Sequence, residues 1–535
     1  MESDRALALA LVHGAKLGHP DLPLVEWFLR DAKDADEAAR YLLRTCANDT
    51  NGSKFTQFVE DWKTLVTTFF VENPRSEPLD SAILRTIGLR DNHRCRLTVT
   101  QGRFWNSSRV FPIIPLSALQ LRKGRLYDIL GAFITPLQRE HLLSTKGATT
   151  KNLLSNHWTL SNDTAKDFTR GEIRLECSGA GKYNICWNPI GITNFKKFTP
   201  RQLLEWRPDL SDLSNSNIDG PDPALLEIHS RFSKALKWTH VAVIMQRNAH
   251  QRHTQKKTGT HFTEAITTGL LAVWLKLPTI IRLQTYKVLK AAGLYLYGCP
   301  QAFGGVQRLP FGMYAKYTYP GSTSKRLIGE FAAVKLVRSR TLLPVPRPID
   351  LICTPTEIFM VTSRMPGIKA GLALDYLSDE EIRLMVQDLQ KWIAELHTIK
   401  PAPDSSFAIA NASGGACFDF RIGGQPVGPF HNEKEFSEFL RIGAFPGLVH
   451  RDDHKIVFTH ADLNMKNILV HNGRISGIVD WETAGWYPEY WEKTKCHYNV
   501  RLDQRWLEMV EEVFEHRYGE ELEIEKRYFE HAYGF

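Results

Sequence analysis

Apolar residues in the first 80 positions recur at spacings of three and four: Leu22 to Leu29, Ala35 to Leu43, then Phe58, Trp62, Leu65 and Phe69. That period predicts amphipathic helices, the last of them ended by Asn73-Pro74. From residue 84 the texture changes to short apolar runs between polar and basic stretches. Residues 247–262, RNAHQRHTQKKTGTHF, have no apolar period and read as an inter-domain linker. His250, His253 and His261 lie there without a carboxylate or cysteine pattern, so they read as solvated rather than metal-binding. Glu264 to Ala292 is mostly helical in pattern, with a break at Pro278.

Further on, GCPQAFGGVQRLPFGMYAKYT holds two short strand-like runs, and Leu327, Ile328, Phe331, Val334 and Val337 mark a helix after them. LLPVPRPIDLI leads into a strand, and Ile358 to Val361 forms the next. Ser378-Asp379-Glu380-Glu381 is a capping box. It opens a long helix with an apolar face of Ile382, Met385, Val386, Leu389, Trp392, Ile393 and Leu396, which makes Trp392 a packing residue. Residues 401–450 are irregular and rich in Gly, Pro and Phe. Ile468 to Val470 and Ile475 to Val479 then read as two strands about the turn His471-Asn472-Gly473-Arg474.

Composition narrows the class. With 535 residues, 43% hydrophobic and 24% charged, the chain is an ordinary globular protein of about three domains. A net charge of +8 permits anionic partners without requiring nucleic acid. The eight cysteines include no C-x-x-C pair, which argues against a zinc ribbon or a disulfide scaffold. The first apolar run is too short for a signal sequence, and no stretch is long enough to span a bilayer. The expected setting is soluble, intracellular and cytoplasmic, with no membrane partner.

The chemistry concentrates in THADLNMKNILVHNGRISGIVDWE, residues 459–482. Asp462 and Asn467 stand five apart before the hairpin, and Asp480 ends its second strand. A carboxylate on a loop, an amide beside the hairpin and a second carboxylate at its end can converge on one point. Phosphoryl transfer needs that set: one carboxylate to orient and deprotonate a hydroxyl, and oxygen donors to hold Mg2+ on the ATP phosphates.

HxDxxxxN followed by D-W-E resembles the aminoglycoside phosphotransferase and choline kinase-like branch of the protein-kinase-like fold, over roughly residues 295–515. The resemblance implies ATP and Mg2+, with Asp462 as catalytic base and Asn467 and Asp480 as metal ligands. Lys316, in PFGMYAKY, would be the phosphate-contacting lysine, held by Glu330 from the following helix. Gly304 and Gly305 would mark the turn over the phosphates. Ser363 and Met365, in SRMPG, would belong to the hinge at the adenine. The insert at 401–450 would line the acceptor side, and Trp486, Tyr490 and Trp491 would pack below the metal site. Family members usually carry Gly where this chain has Ala461.

A second resemblance covers the preceding part. Arg90-Asp91-Asn92, Arg94-Cys95, Ile113-Ile114-Pro115, Thr159-Leu160 and Phe168 follow the order of the HNH-type domain of many fungal proteins. In that register Pro112 and Ala165 replace the histidines and only Asn156 remains, so metal-assisted phosphodiester hydrolysis is not expected. Arg90, Arg94, Arg96, Arg103 and Arg109 form a basic span that would give residual nucleic-acid affinity, although a solvated basic face is the preferred reading.

The sequence therefore predicts an α+β protein of two modules. A helical segment (1–80) precedes a degenerate HNH-like domain (81–246). After the linker comes a bilobal kinase-like domain (263–535, lobes about 295–365 and 366–535). The expected activity is ATP-dependent phosphorylation of a hydroxyl on a small molecule or protein. The competing reading is a nucleotide-gated interaction protein whose HNH-like half contacts nucleic acid or a protein.

Overall fold

The computed structural model describes residues 3–47, 52–72, 79–98, 107–146, 149–179, 182–187, 210, 217–254, 271–298, 305–402, 406–419, 421, 425–441, 447–497 and 503–533. The chain divides into two compact units, Met1–Arg247 and Asn248–Phe535. Asn73-Pro74, Arg103, His261 and Gly304 lie outside the described residues.

In the first unit, the helical spacing of the opening residues becomes α1 (Asp4–Gly14), α2 (Asp21–Asp31), α3 (Ala35–Cys46) and α4 (Ser53–Thr68). Their apolar faces do not close on one another alone. Phe28 stacks on Phe133 at 5.8 Å, Trp62 packs tilted against the same ring at 4.7 Å, and Phe69 stacks 3.8 Å from Phe232. One continuous core runs from Ala8 to Leu236. Residues 1–80 are thus not a segment apart from 81–246, because each set covers the other's apolar surface. The expected linker also begins too early: the helix Pro223–Thr254 continues through its first eight residues. Helical backbone hydrogen bonding does not itself require an apolar period, so its absence from the sequence hid this part of the helix.

Strands β1 (Ser108–Pro112) and β2 (His157–Ser161) pair antiparallel, and α5 (Asn162–Thr169) follows directly. Pro112 stands opposite His157. Asn156 ties its amide to Ile114, accepting from the backbone N and donating to its carbonyl, both at 2.9 Å. The basic span divides here. Arg90 and Arg96 are buried beside Asp91. Arg90 also donates to the carbonyls of Leu154, His157 and Asp219, and Asp91 accepts from Thr159 N. Arg90 is a structural crosslink, and neither buried arginine can face nucleic acid. Arg109 remains exposed.

In the second unit, α6 (Thr279–Tyr297) starts after its N-cap Pro278. A four-stranded antiparallel sheet follows in the order β3-β4-β6-β5, with β3 Val306–Leu309, β4 Met313–Thr318, β5 Pro348–Cys353 and β6 Ile358–Ser363. Helix α7 (Ser322–Arg340) connects β4 to β5. One sheet face packs on α6 through Leu283, Tyr286, Ala315 and Phe359. Period-two alternation turns Lys316 away from that face.

The long helix α8 (Asp379–His397) carries the expected capping box, with Ser378 and Glu381 bonded reciprocally. Beyond it lie β7 (Ile456–Thr459), then the hairpin β8 (Ile468–His471) and β9 (Arg474–Ile478). Its turn residues Asn472 and Gly473 have φ of 51° and 73°, which the Asn-Gly pair tolerates. Strand β10 (Gly485–Pro488) pairs with β7, and helix α9 (Trp491–His497) follows. Among the described residues, no helix is long and apolar enough to cross a membrane.

Candidate active site

Two clusters meet at the hairpin. In the first, Lys316 Nζ donates to both Glu330 oxygens at 2.7 and 2.8 Å and to Asp480 Oδ1 at 2.5 Å. Strand β4 supplies the lysine, α7 the glutamate and the end of the hairpin the aspartate. Glu330 is buried, whereas Asp480 is partly open. Burial opposes the charge on Lys316, but the two carboxylates outweigh it and raise its pKa. Burial also acts to raise Asp480, yet Lys316 wins and the net shift is downward. Burial drives Glu330 upward against the pull of Lys316. With the ammonium against both its oxygens, the ionised pair is the state the geometry supports.

The second cluster is the loop after β7. Both oxygens of Asp462 accept an amide: Asn464 Nδ2 on Oδ1 at 3.1 Å and Asn467 Nδ2 on Oδ2 at 2.8 Å. Those amides fix the carboxylate's direction without using all its lone pairs. Burial pushes the Asp462 carboxyl up to about 6, while Lys495 pulls it down. A carboxylate ionised at neutral pH yet more basic than usual suits proton abstraction.

His460 joins the clusters. Its Nε2 lies 3.1 Å from the Val479 carbonyl, and its Nδ1 lies 3.2 Å from the N–H of Asp462. The first contact requires a donor and the second an acceptor, so the neutral Nε2–H tautomer satisfies both. Burial lowers its pKa to about 4 and keeps it neutral. Val479 N in turn donates to the Asn467 carbonyl at 2.9 Å. The loop carrying Asp462 and Asn467 is thus bound to the residue preceding Asp480.

Ala461 adopts φ 60°, a left-handed conformation that favours glycine. The strain is on the order of 1 kcal/mol. Its methyl is fully buried among Cys417, Tyr487 and Trp491, and burying one such group returns about 0.8 kcal/mol. Alanine at this position therefore comes close to neutral.

The donors for a cation are oxygens. Glu330, Asp480 and Glu482 present carboxylate atoms within 4.8 Å of one another. Asn467 commits its Nδ2 to Asp462, which leaves its Oδ1 as an acceptor. An all-oxygen set of this kind fits a hard divalent ion such as Mg2+.

The remaining predicted residues stand in the small sheet. Gly305 accepts from Tyr317 N at 3.0 Å, and a Cβ there would lie 2.5 Å from the Tyr317 carbonyl. It is thus a close-approach glycine at the start of β3. Ser363 Oγ accepts from Arg347 N at 2.8 Å, binding the strand end to the segment before β5. Met365 packs over Gly477 of the hairpin. These three do not join the charged clusters. The sequence reading missed His460, Asn464 and Glu482 as site residues. Glu482 had a signal, a second carboxylate two positions after Asp480. His460 is the first residue of the HxDxxxxN motif but was given no role there, and Asn464 was visible only as a position within the motif's unassigned span.

Residues 314–528 match the model of the phosphotransferase enzyme family known as APH. The C-terminal half carries a phosphotransferase-family domain. An aminoglycoside 3'-phosphotransferase of Enterococcus faecalis is 28% identical over 87 residues, 16% of this chain and 30% of that protein. The chain therefore matches about a third of that relative's length. Among solved structures, aminoglycoside phosphotransferase APH(4)-Ia, in a complex with ADP and hygromycin B, aligns at TM-score 0.31 and 14% identity, over 45% of this chain and 88% of its own. APH(3'')-Id from Streptomyces rimosus aligns at 0.31 and 19% identity, over 46% and 97%.

Proposed function

We propose that the C-terminal unit transfers the γ-phosphoryl group of ATP to a hydroxyl, with Mg2+ as the required ion. The observation that carries this is the convergence of an amide-held Asp462 with the Lys316–Glu330–Asp480 cluster on one hairpin. In this reading Asp462 accepts the proton of the attacking hydroxyl. Lys316 orients and neutralises the phosphates, and Glu330 keeps it in place. Asn467, Asp480 and Glu482 would hold Mg2+, which neutralises phosphate charge when bound. Gly304, Gly305, Ser363 and Met365 remain assigned to nucleotide contact. The acceptor is a small hydroxylated molecule or a protein hydroxyl.

The test is ADP release from the full chain with Mg2+-ATP against pooled sugars, amino sugars and amino alcohols. One pool should raise ADP release, and Asp462→Asn should remove that increment. If no pool does so and ATP fails to raise Tm with Mg2+, the reading falls.

For the first unit we infer a strand–strand–helix frame of HNH type without its chemistry. Support comes from the order β1, β2, α5, and from Asn156 tying the segment after β1 to the one before β2. Pro112 offers neither base nor ligand, and Ala165 is buried on α5.

A further inference from the structure

The face of the small sheet turned away from Lys316 does not close fully against α6. A cavity of about 540 Å3 stays open between them, within the roughly 300–1,000 Å3 usual for small-molecule sites. Helix α6 is anchored on the sheet at two places. Arg282 pairs with the buried Asp350 of β5, and Gly293 meets β3, where a Cβ would stand 2.0 Å from the Arg308 carbonyl oxygen. These anchors set the separation of helix and sheet, so only side chains or a ligand can fill the space.

The lining is aromatic below and basic above. Tyr317 and Phe359, opposite each other on β4 and β6, stack at 5.6 Å as the floor. Leu294 of α6 adds an apolar wall. Lys290 of α6 holds its ammonium 3.4 Å from the centre of the Tyr317 ring, and among the described residues no carboxylate pairs with it. Lys287, one turn earlier, differs, because Glu357 already neutralises it. Gln307 is 3% exposed; it spends one amide hydrogen on the Arg308 carbonyl at 3.0 Å and keeps the other.

We infer that this cavity is a binding site for a small organic carboxylate, with a flat apolar body against the aromatic floor and its anionic end at Lys290. A ring face satisfies an ammonium less well than a hydrogen-bonded anion does, and the spare amide hydrogen of Gln307 is a second donor. A cationic ligand would meet Lys290 with Glu357 already committed to Lys287. A neutral one would take water from the ammonium and return nothing. One unpaired cation matches a monoanion; a phosphate dianion would need Lys287 as well. The site lies on the face of β4 opposite Lys316, so it stands whether or not this unit transfers phosphate.

The test is equilibrium dialysis of the full chain at neutral pH with 2-naphthoate as the probe. The wild type should bind it with a Kd below about 1 mM, and Lys290→Met should weaken that by about tenfold or more, since it keeps the chain length but removes the charge. Lys290→Arg should restore affinity to within about threefold of the wild type. Neutral 2-naphthamide should bind the wild type about tenfold more weakly than the acid. No measurable binding of 2-naphthoate, or equal binding by the wild type and Lys290→Met, would overturn the site. Equal binding of acid and amide would overturn its preference for an anion, and tighter binding of 2-naphthyl phosphate would overturn the monoanion assignment. Mg2+-ATP should not compete; displacement that keeps growing with ATP concentration would place the probe in the nucleotide site and refute the inference.

Discussion

Glu330→Gln asks how much of nucleotide binding depends on the orientation of Lys316. The substitution preserves shape and one acceptor oxygen but removes the charge that faces Lys316 at 2.7 and 2.8 Å. Without nucleotide, Lys316 still has Asp480 at 2.5 Å. With Mg2+-ATP, the proposed role of Asp480 at the cation competes with that contact, so Glu330 becomes the lysine's remaining support. A hydrogen bond to a charged group contributes roughly 1.5–3 kcal/mol, which corresponds to a 10- to 100-fold loss of ATP affinity. At ATP one hundred times the wild-type Kd, binding stabilises by about 2.7 kcal/mol; the same concentration would give the variant about 1.4 to 0.4 kcal/mol. At about 2–4 °C per kcal/mol, a Tm shift of roughly 5–11 °C would shrink to about 1–6 °C. The assay is thermal unfolding of the full chain with and without Mg2+-ATP. A variant with the full wild-type shift would show that Lys316 reaches the phosphates without Glu330, or does not reach them.

Asp480→Ala should abolish the Mg2+-dependent part of the ATP-induced Tm shift, because it removes the carboxylate common to the cation set and the lysine pair; an unchanged shift removes the metal assignment. Asp462→Asn should cost about 100- to 10,000-fold in turnover with the ATP-induced shift intact, and survival of rate within a few-fold excludes it as the base. Its pKa is raised from 3.8 to about 6 by burial, so between those values the folded state binds the extra proton more tightly than the unfolded one. Stability therefore falls as pH rises through that window. Urea midpoints should fall more steeply with pH from about 4 to 6 in the wild type than in Asp462→Asn, and parallel curves contradict the shift. The full chain should not nick plasmid DNA with Mg2+ or Mn2+, and metal-dependent nicking lost in His157→Ala would make the first unit a nuclease.

Most of the candidate site's geometry was legible because its signals are local. Asp462, Asn467 and Asp480 lie within nineteen positions, and an Asn-Gly turn between apolar runs forces the hairpin that brings them together. The Lys316–Glu330 pair needed only a strand and the next helix. Contacts set by tertiary closure were not legible. Glu492 accepts from His460 N and Ala461 N, yet it lies about thirty residues beyond that loop, inside a YWE run that reads as packing. Its neighbours Trp491 and Tyr490 are indeed fully buried, and nothing in spacing alone marks the carboxylate between aromatic and basic residues as the one turned towards the loop's backbone.

The arginines after residue 90 show the opposite failure, in which a local signal was real but its surroundings reversed its meaning. Composition cannot tell a basic face from a buried cation network, since both are arginine-rich with few aromatics. The deciding feature is Asp91, adjacent to Arg90 and fully buried with it. Arg90 spends its remaining donors on the carbonyls of Leu154, His157 and Asp219, so one side chain crosslinks three segments. Arg90→Ala would leave the Asp91 carboxylate buried and without its nearest cation, a change that commonly costs about 3–5 kcal/mol. That loss should appear as a lower urea midpoint of the first unit's transition. Arg109→Ala, at an exposed position on β1, should leave the midpoint within about 0.5 kcal/mol. Equal effects from the two substitutions would mean that Arg90 is not the crosslink its contacts describe.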